Sequence, residues 1–285
     1  MQDDMPLESE SDALEQLLNQ AIVEGFVEVP VLPEVANKAF MLANDKNSDA
    51  SHLAQLIQSD PSLPGHVRRI ANSAAYSPMA NLASLQQAIT RLGMRTISQI
   101  ALAAVLNARL FHTPGYEKYV QTQWHHAMAT SLWAREIARY DDVDEEMALL
   151  TGLIHSIGRP AVLQTVIDLA AQRSLPLDDV TVHQLEEKYW LTVSQMVVIR
   201  WRLPALVIDT IQCLPSPTLD TPAGKMATLI TAASWLAQAM LDNRLSDELT
   251  LAETSIAALH LSTENIQKLV ASSEKIDQQF QQLIA

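Results

Sequence analysis

Imidazoles, hydroxyls and guanidinium groups carry whatever chemistry this sequence can do. His125 and His126 are consecutive, and His155 is followed directly by Ser156. An imidazole can hold a metal ion or move a proton near neutral pH. Consecutive helix positions point about 100° apart, so His125 faces away from any site that His126 serves. The remaining histidines have no partner at ligand spacing, and His183 and His260 read as surface residues. Ser131, Ser156 and Ser194 are possible nucleophiles, yet none lies in an elbow such as G-x-S-x-G. Arg68, Arg69, Arg91 and Arg95 could form a small anion pocket for a nucleotide second messenger. Pairing of surface arginines with nearby carboxylates explains them as well and is the preferred reading. Both central histidines also have a plain packing explanation. His126 shares a helical stripe with Thr130, Trp133 and Ile137, and His155 shares a face with Ala148, Thr151 and Gly152, small residues that let helices approach closely.

Elements that position these residues are helical almost throughout. Leu14, Leu17, Leu18, Ile22 and Val23 keep the three-to-four spacing of an amphipathic helix ending near Gly25, after a polar, acidic stretch over 1–12 that reads as frayed. Pro30 and Pro33 introduce a helix carrying Val35, Ala39 and Leu42. Asp49 caps the next, and Asp60-Pro61 opens one that runs to about Tyr76. Ser84 with Gln87 forms a capping box, Gly93 interrupts the helix, and a second stretch continues from Thr96 to Leu110. Further helices are expected over Tyr119–Tyr140, Met147–Ile154, 160–172, Val180–Trp201 and Pro204–Cys213. After a linker at Leu214-Pro215-Ser216-Pro217 come helices near 223–242, 249–260 and 263–283. The carboxylates of Asp141, Asp142, Asp144, Glu145 and Glu146 look like a patch, but the helix that follows needs them at its N-terminus. No strand is expected, so the fold class is all-α.

Composition narrows the function. Hydrophobic residues make up 48% of the 285 positions and only 7 are glycine, which leaves little material for Gly-rich phosphate loops. The formal net charge of −14 opposes binding to nucleic acid and to anionic lipid. Cys213 is the single cysteine, which fits a reducing compartment, and beside Leu214 and Pro215 it reads as buried packing. With an acidic N-terminus and no long apolar run, the expectation is a soluble cytoplasmic protein without nucleic-acid or membrane partners.

Several strings resemble the HDOD family in order and spacing: Asp60-Pro61-Ser62-Leu63, Arg69-Ile70-Ala71-Asn72-Ser73-Ala74-Ala75-Tyr76, Ala88-Ile89 with Leu92-Gly93, Trp124-His125-His126-Ala127, Gly152-Leu153-Ile154-His155-Ser156-Ile157-Gly158 and Trp201-Arg202-Leu203-Pro204. The resemblance covers about residues 24–217. It implies an all-α multi-helical bundle of the HD-domain type, related to HD phosphohydrolases, with a regulatory role in many members. HD enzymes hold metal with a histidine on one helix, a His-Asp pair on a second, and further His and Asp residues from later helices. By this resemblance His126 matches the first histidine and His155 the second, while Ser156 stands where the aspartate belongs. Trp190 falls where a later histidine often sits, and Leu214-Pro215 falls at the position of a double histidine. A hydroxyl supplies neither the charge nor the bridging geometry of a carboxylate, so His126, His155, Ser156 and Trp190 read as vestigial positions with no catalytic residue, metal or cofactor assigned.

The expected organisation is an acidic tail and first helix over 1–23, the HDOD body over 24–217, and C-terminal helices over 218–285 packed on it. Within the body, the Asp60–Leu110 and Trp124–Cys213 helices should form two subregions, with the last helices docked on the second. The leading function is a non-catalytic signalling module that binds an unidentified signalling protein. The alternative is a metal-dependent phosphohydrolase acting on a nucleotide or cyclic nucleotide phosphoester.

Overall fold

A computed structural model describes residues 7–27, 49–60, 63–72, 84–107, 111–245 and 257–284, with single residues at 29, 35, 38, 39, 42 and 82. All regular structure among them is helical. Val35, Ala39 and Leu42 of the expected proline-led helix are helical, while Pro30, Pro33 and most of that segment, Pro61-Ser62, the Ser73–Tyr76 string and most of the helix expected near 249–260 lie outside the described residues. The chain divides into two compact units.

Unit one comprises Met1–Val31, Phe111–Gln123 and Ser156–Leu203. It contains α1 (Leu7–Glu24), and α1 begins well before the expected start, inside the stretch read as frayed. Glu8, Glu10 and Asp12 fall within its first six positions. Helix α1 ends on a Schellman motif: Gly25 has φ 74°, and the amides of Gly25 and Phe26 donate to the carbonyls of Ile22 (3.2 Å) and Ala21 (2.8 Å). Helix α1 packs on two later helices of the same unit, spanning Gly158–Arg173 and Asp179–Arg200. Those two cross closely at Gly158, where a Cβ would overlap the Trp190 carbonyl and the Ser194 amide.

Unit two comprises Leu32–Leu110, Trp124–His155 and Pro204–Ala285. Helix α2 (Ala50–Gln58) is capped by Asp49, whose carboxylate accepts from the Ser51 and His52 amides at 2.8 and 3.0 Å. Helix α3 (Leu63–Ala71) packs on α4 (Leu85–Asn107), which Gly93 kinks with φ 83° and ψ 158° as the sequence leads one to expect. Ser84 caps α4 through the Gln87 amide at 3.1 Å. Asn72 follows α3, and its side-chain amide closes a ten-residue span: Nδ2 donates to the Leu82 carbonyl at 3.1 Å while Oδ1 accepts from the Leu82 amide.

Helix α5 (Glu117–Ala138) starts in unit one and continues in unit two. Next comes α6 (Glu145–Ile154), capped by Asp144, which accepts from the Glu146 and Met147 amides, both at 2.9 Å. The acidic run is therefore largely helix-terminus chemistry, with Asp141 paired to Lys225 at 2.6 Å and Glu145 to Arg139 at 3.1 Å. The two helices of unit one already met are α7 (Gly158–Arg173) and α8 (Asp179–Arg200). In unit two, α9 (Ala205–Cys213) and α10 (Pro222–Leu241) pack on each other and on α6.

The final helix expected over 263–283 is two: α11 (Thr263–Ala271) and α12 (Ser273–Ile284). Ser272 caps the first, and its hydroxyl donates to Glu136 of α5 at 3.0 Å, an alternative to helical continuation that serine readily offers. The expected partition into Asp60–Leu110 and Trp124–Cys213 subregions also differs from the observed one. Phe280 of α12 meets His125 of α5, and Arg69 of α3 donates to the Leu283 carbonyl at 3.1 Å. The last helix thus touches both stretches rather than the second alone.

Candidate functional site

His126 and His155 do come together. Along α5 every residue from Ala127 to Ala138 is buried, the polar Thr130, Ser131, Arg135 and Glu136 included. Helix α6 brings Gly152 against it, where a Cβ would stand 2.7 Å from the Ser131 Cα. That close approach, the one inferred for the small residues around His155, sets the two imidazole rings 5.8 Å apart between centroids and tilted by 53°.

Each ring gives an N–H to a backbone carbonyl. His126 Nε2 donates to the Ser234 carbonyl at 3.2 Å, and buried His155 donates through Nδ1 to the Gly152 carbonyl at 2.8 Å. A carbonyl can only accept, so neutral His126 is the Nε2–H tautomer and neutral His155 the Nδ1–H tautomer. An imidazole anchored by one N–H is the usual form of a metal ligand, so each ring alone would suit one. The set does not. Among the described residues no group of three or more His, Cys, Asp or Glu side chains could hold a metal ion, and the residue after His155 is a serine. Two imidazoles bring no negative charge to a divalent ion, and the donors present do not fit an HD metal centre.

His125 points elsewhere, as its helical offset requires. Its ring lies edge-on to Trp124 at 5.7 Å and to Phe280 at 5.8 Å, and burial among them holds its pKa below the ordinary imidazole value.

Ser156 and Trp190 belong to unit one, which has its own polar centre. Ser156 is buried, and its carbonyl accepts from the Arg159 amide at 3.0 Å. The Arg159 guanidinium stands 4.8 Å from the Trp190 ring centroid. It also forms ion pairs with Glu186 at 3.0 Å and Glu187 at 2.9 Å. Glu186 is almost fully buried, accepts from the Tyr119 hydroxyl, and lies 3.6 Å from His183 Nδ1. Burial opposes the charge on Arg159, and hydrogen bonds to Glu186 and Glu187 outweigh it, so the guanidinium pKa is raised. Burial, then the hydrogen bond to Glu186, pushes the Tyr119 phenol far up.

Sequence reasoning missed this network. His183 is exposed as expected, but it is engaged with Glu186 and with the Tyr119 ring, 4.7 Å away. One signal was available: Glu186 interrupts the buried stripe of Val182, Leu185, Val193 and Val197 on α8.

The other candidates resolve into structural roles. Ser131 Oγ donates to the Met128 carbonyl at 2.7 Å, and Ser194 Oγ accepts from the Gly158 amide at 2.8 Å. Arg69 serves carbonyls at the C-terminus of α12 rather than a carboxylate. Arg95 lies 3.9 Å from Asp144, and Arg68 and Arg91 are exposed. Cys213 is half-buried rather than buried, at the last residue of α9.

The sequence profile of the HDOD domain matches residues 29–217. The chain belongs to the HDOD domain family. Its backbone is similar to that of a candidate metal-dependent phosphohydrolase from Shewanella amazonensis, with a TM-score of 0.74, 19% identity, and coverage of 95% of this chain and 99% of that one. It is also similar to a candidate signal transduction protein from Marinobacter aquaeolei, with a TM-score of 0.61, 22% identity, and coverage of 97% of this chain and 67% of that one. At such identities the likeness establishes the HD-type fold and not the chemistry. An uncharacterized protein of Treponema pallidum is 22% identical over 207 residues, 68% of this chain, and the match spans only 39% of that relative's length. Among the described residues no helix of this HDOD protein is long and apolar enough to cross a membrane.

Proposed function

We propose that this HDOD protein is a non-catalytic signalling module of the cytoplasm that works by binding another protein, with a degenerate HD metal site. The observation that carries this reading is the donor set. Where an HD enzyme needs imidazoles with carboxylates, this chain offers two histidines tied to backbone carbonyls and a serine after the second. Lowering the pKa of a bound water takes a metal held among anionic ligands, and among the described residues no carboxylate joins His126 and His155 in a metal-binding group. The buried carboxylates Glu186 and Glu136 are instead engaged in ion pairs, with Arg159 and Arg139. With nothing to activate water, the module's output is contact with a partner.

Metal analysis and phosphodiesterase assay of the full chain test this directly. The expected outcome is substoichiometric transition metal and no turnover, before and after Ser156→Asp. A stoichiometric metal that is lost in His126→Ala, together with hydrolysis of a nucleotide phosphoester, would establish the phosphohydrolase alternative.

A further inference from the structure

A groove of about 300 Å3 lies within unit one between α1 and the C-terminal half of α7. Its lining is mixed: Leu17, Ala21 and Leu169 are apolar, two glutamines and a threonine are polar, and Glu24, Asp168 and Arg173 are charged. Phe26 lines it too while remaining 72% exposed, and Val23, on the last turn of α1, is 79% exposed.

The exposure of Phe26 is unusual for its backbone position. It occupies the place after the left-handed Gly25 in the Schellman motif, and there an apolar side chain ordinarily packs back on the helix it terminates. Here the backbone half of the motif is complete, with both amides bonded, while the ring stays in solvent. Val27, the next residue, is buried, so the backbone on both sides of Phe26 is anchored. A large exposed aromatic side chain on backbone that is already ordered adds no backbone entropy cost on contact, which suits an interface anchor.

We propose that this groove docks a basic amphipathic segment of a partner protein, which inserts one large apolar side chain against Leu17, Ala21 and Leu169 under Phe26. The idea rests on the interaction-module reading and gives that module a surface. Size and charge favour this occupant. Small-molecule sites run from about 300 to 1,000 Å3, so the groove sits at their lower limit and suits a single side chain better than a nucleotide. Two carboxylates face one guanidinium at its edge, and the chain as a whole carries −14. A phosphate-bearing ligand would be repelled, whereas lysines flanking the inserted side chain would be attracted and steered in.

The test uses the full chain and a short fluorescein-labelled peptide with leucine and lysine at helical spacing around one tryptophan, read by anisotropy. The wild type should bind it, and a counterpart with glutamate for lysine should bind at least about tenfold more weakly. Phe26→Ser and Glu24→Lys should each weaken binding by about five- to tenfold, the size of a contributing interface contact. Trp235→Ser, at an exposed tryptophan on α10, should change nothing. Circular dichroism checks that each variant is folded, which surface positions should permit. Absence of wild-type binding overturns the proposal, and so does equal binding by Phe26→Ser and Glu24→Lys, which would mean unspecific attraction to an acidic protein. Self-association that Phe26→Ser abolishes would assign the groove to a second copy instead. Phosphodiesterase activity of the wild type would defeat the module reading while leaving the peptide result to stand or fall by itself.

Discussion

His126 and His155 of unit two and Glu186 of unit one are satisfied by different kinds of partner. Each of the two rings donates to a backbone carbonyl, Ser234 for His126 and Gly152 for His155. Glu186 is a buried carboxylate matched by side chains, the Arg159 guanidinium and the Tyr119 hydroxyl, as Glu136 in unit two is matched by Arg139. An imidazole that donates one N–H to a carbonyl can be lost at the cost of packing and that hydrogen bond. A buried carboxylate cannot lose its cation without leaving an uncompensated charge. Substitution at His126 and His155 is therefore expected to cost less than breaking the Arg159–Glu186 pair.

The largest expected effect separates the two glycines at the helix crossings. Gly158→Ala would drive a methyl into the Trp190 carbonyl and the Ser194 amide. Because those atoms are backbone, the loss should exceed the ordinary overpacking cost and reach about 4 kcal/mol in urea unfolding. Gly152→Ala meets Ser131 Cα at 2.7 Å and should cost about 2 kcal/mol. Equal costs would show that the two crossings are equally rigid.

Next comes the charge network. Arg159→Met should destabilise by about 3 kcal/mol, and adding Glu186→Leu should recover most of the loss, since replacing a whole buried pair is often neutral. A double-mutant cycle with no coupling would remove the contrast with the two histidines.

His126→Ala and His155→Ala should each cost about 1–3 kcal/mol, as core truncations do, and added metal should not change the transition. A metal-dependent shift in Tm confined to the wild type would break that expectation.

The smallest effect is a pH slope. Burial lowers the His125 pKa, while in the unfolded chain it lies near about 6.5. Below that value the unfolded chain binds the extra proton more readily, so the His125 contribution is full at higher pH and is lost as pH falls through the window between the two pKa values. His125→Phe keeps an aromatic contact with Phe280 and should flatten the acid side of the stability profile.

Much of the fold was legible because its signals are local. Asp144, Ser84 and Gly93 announce a cap, a cap and a break within a turn of where they act. The start of α1 was not, because Glu8, Glu10 and Asp12 read alike whether they complement a helix dipole or fray. The break at Ser272 depends on Glu136, far away in the sequence. For the candidate site, the pairing of His126 with His155 was accessible through the family strings and the small residues around Gly152. The Glu186 network was not, because its members are spread over three helices and no local periodicity joins them.

Asn72 gives the family string a different meaning. Its amide offers a donor and an acceptor on one rigid plane, and Leu82 takes both, as it would from a neighbouring strand. A carboxylate at 72 could not donate, a lysine could not accept, and a glutamine would place the same pair of atoms one methylene too far. The chain therefore carries, inside its most recognisable string, a clasp that imposes a choice of residue without reference to any ligand. A family string can thus be held in place by folding alone, whatever chemistry the rest of the chain performs.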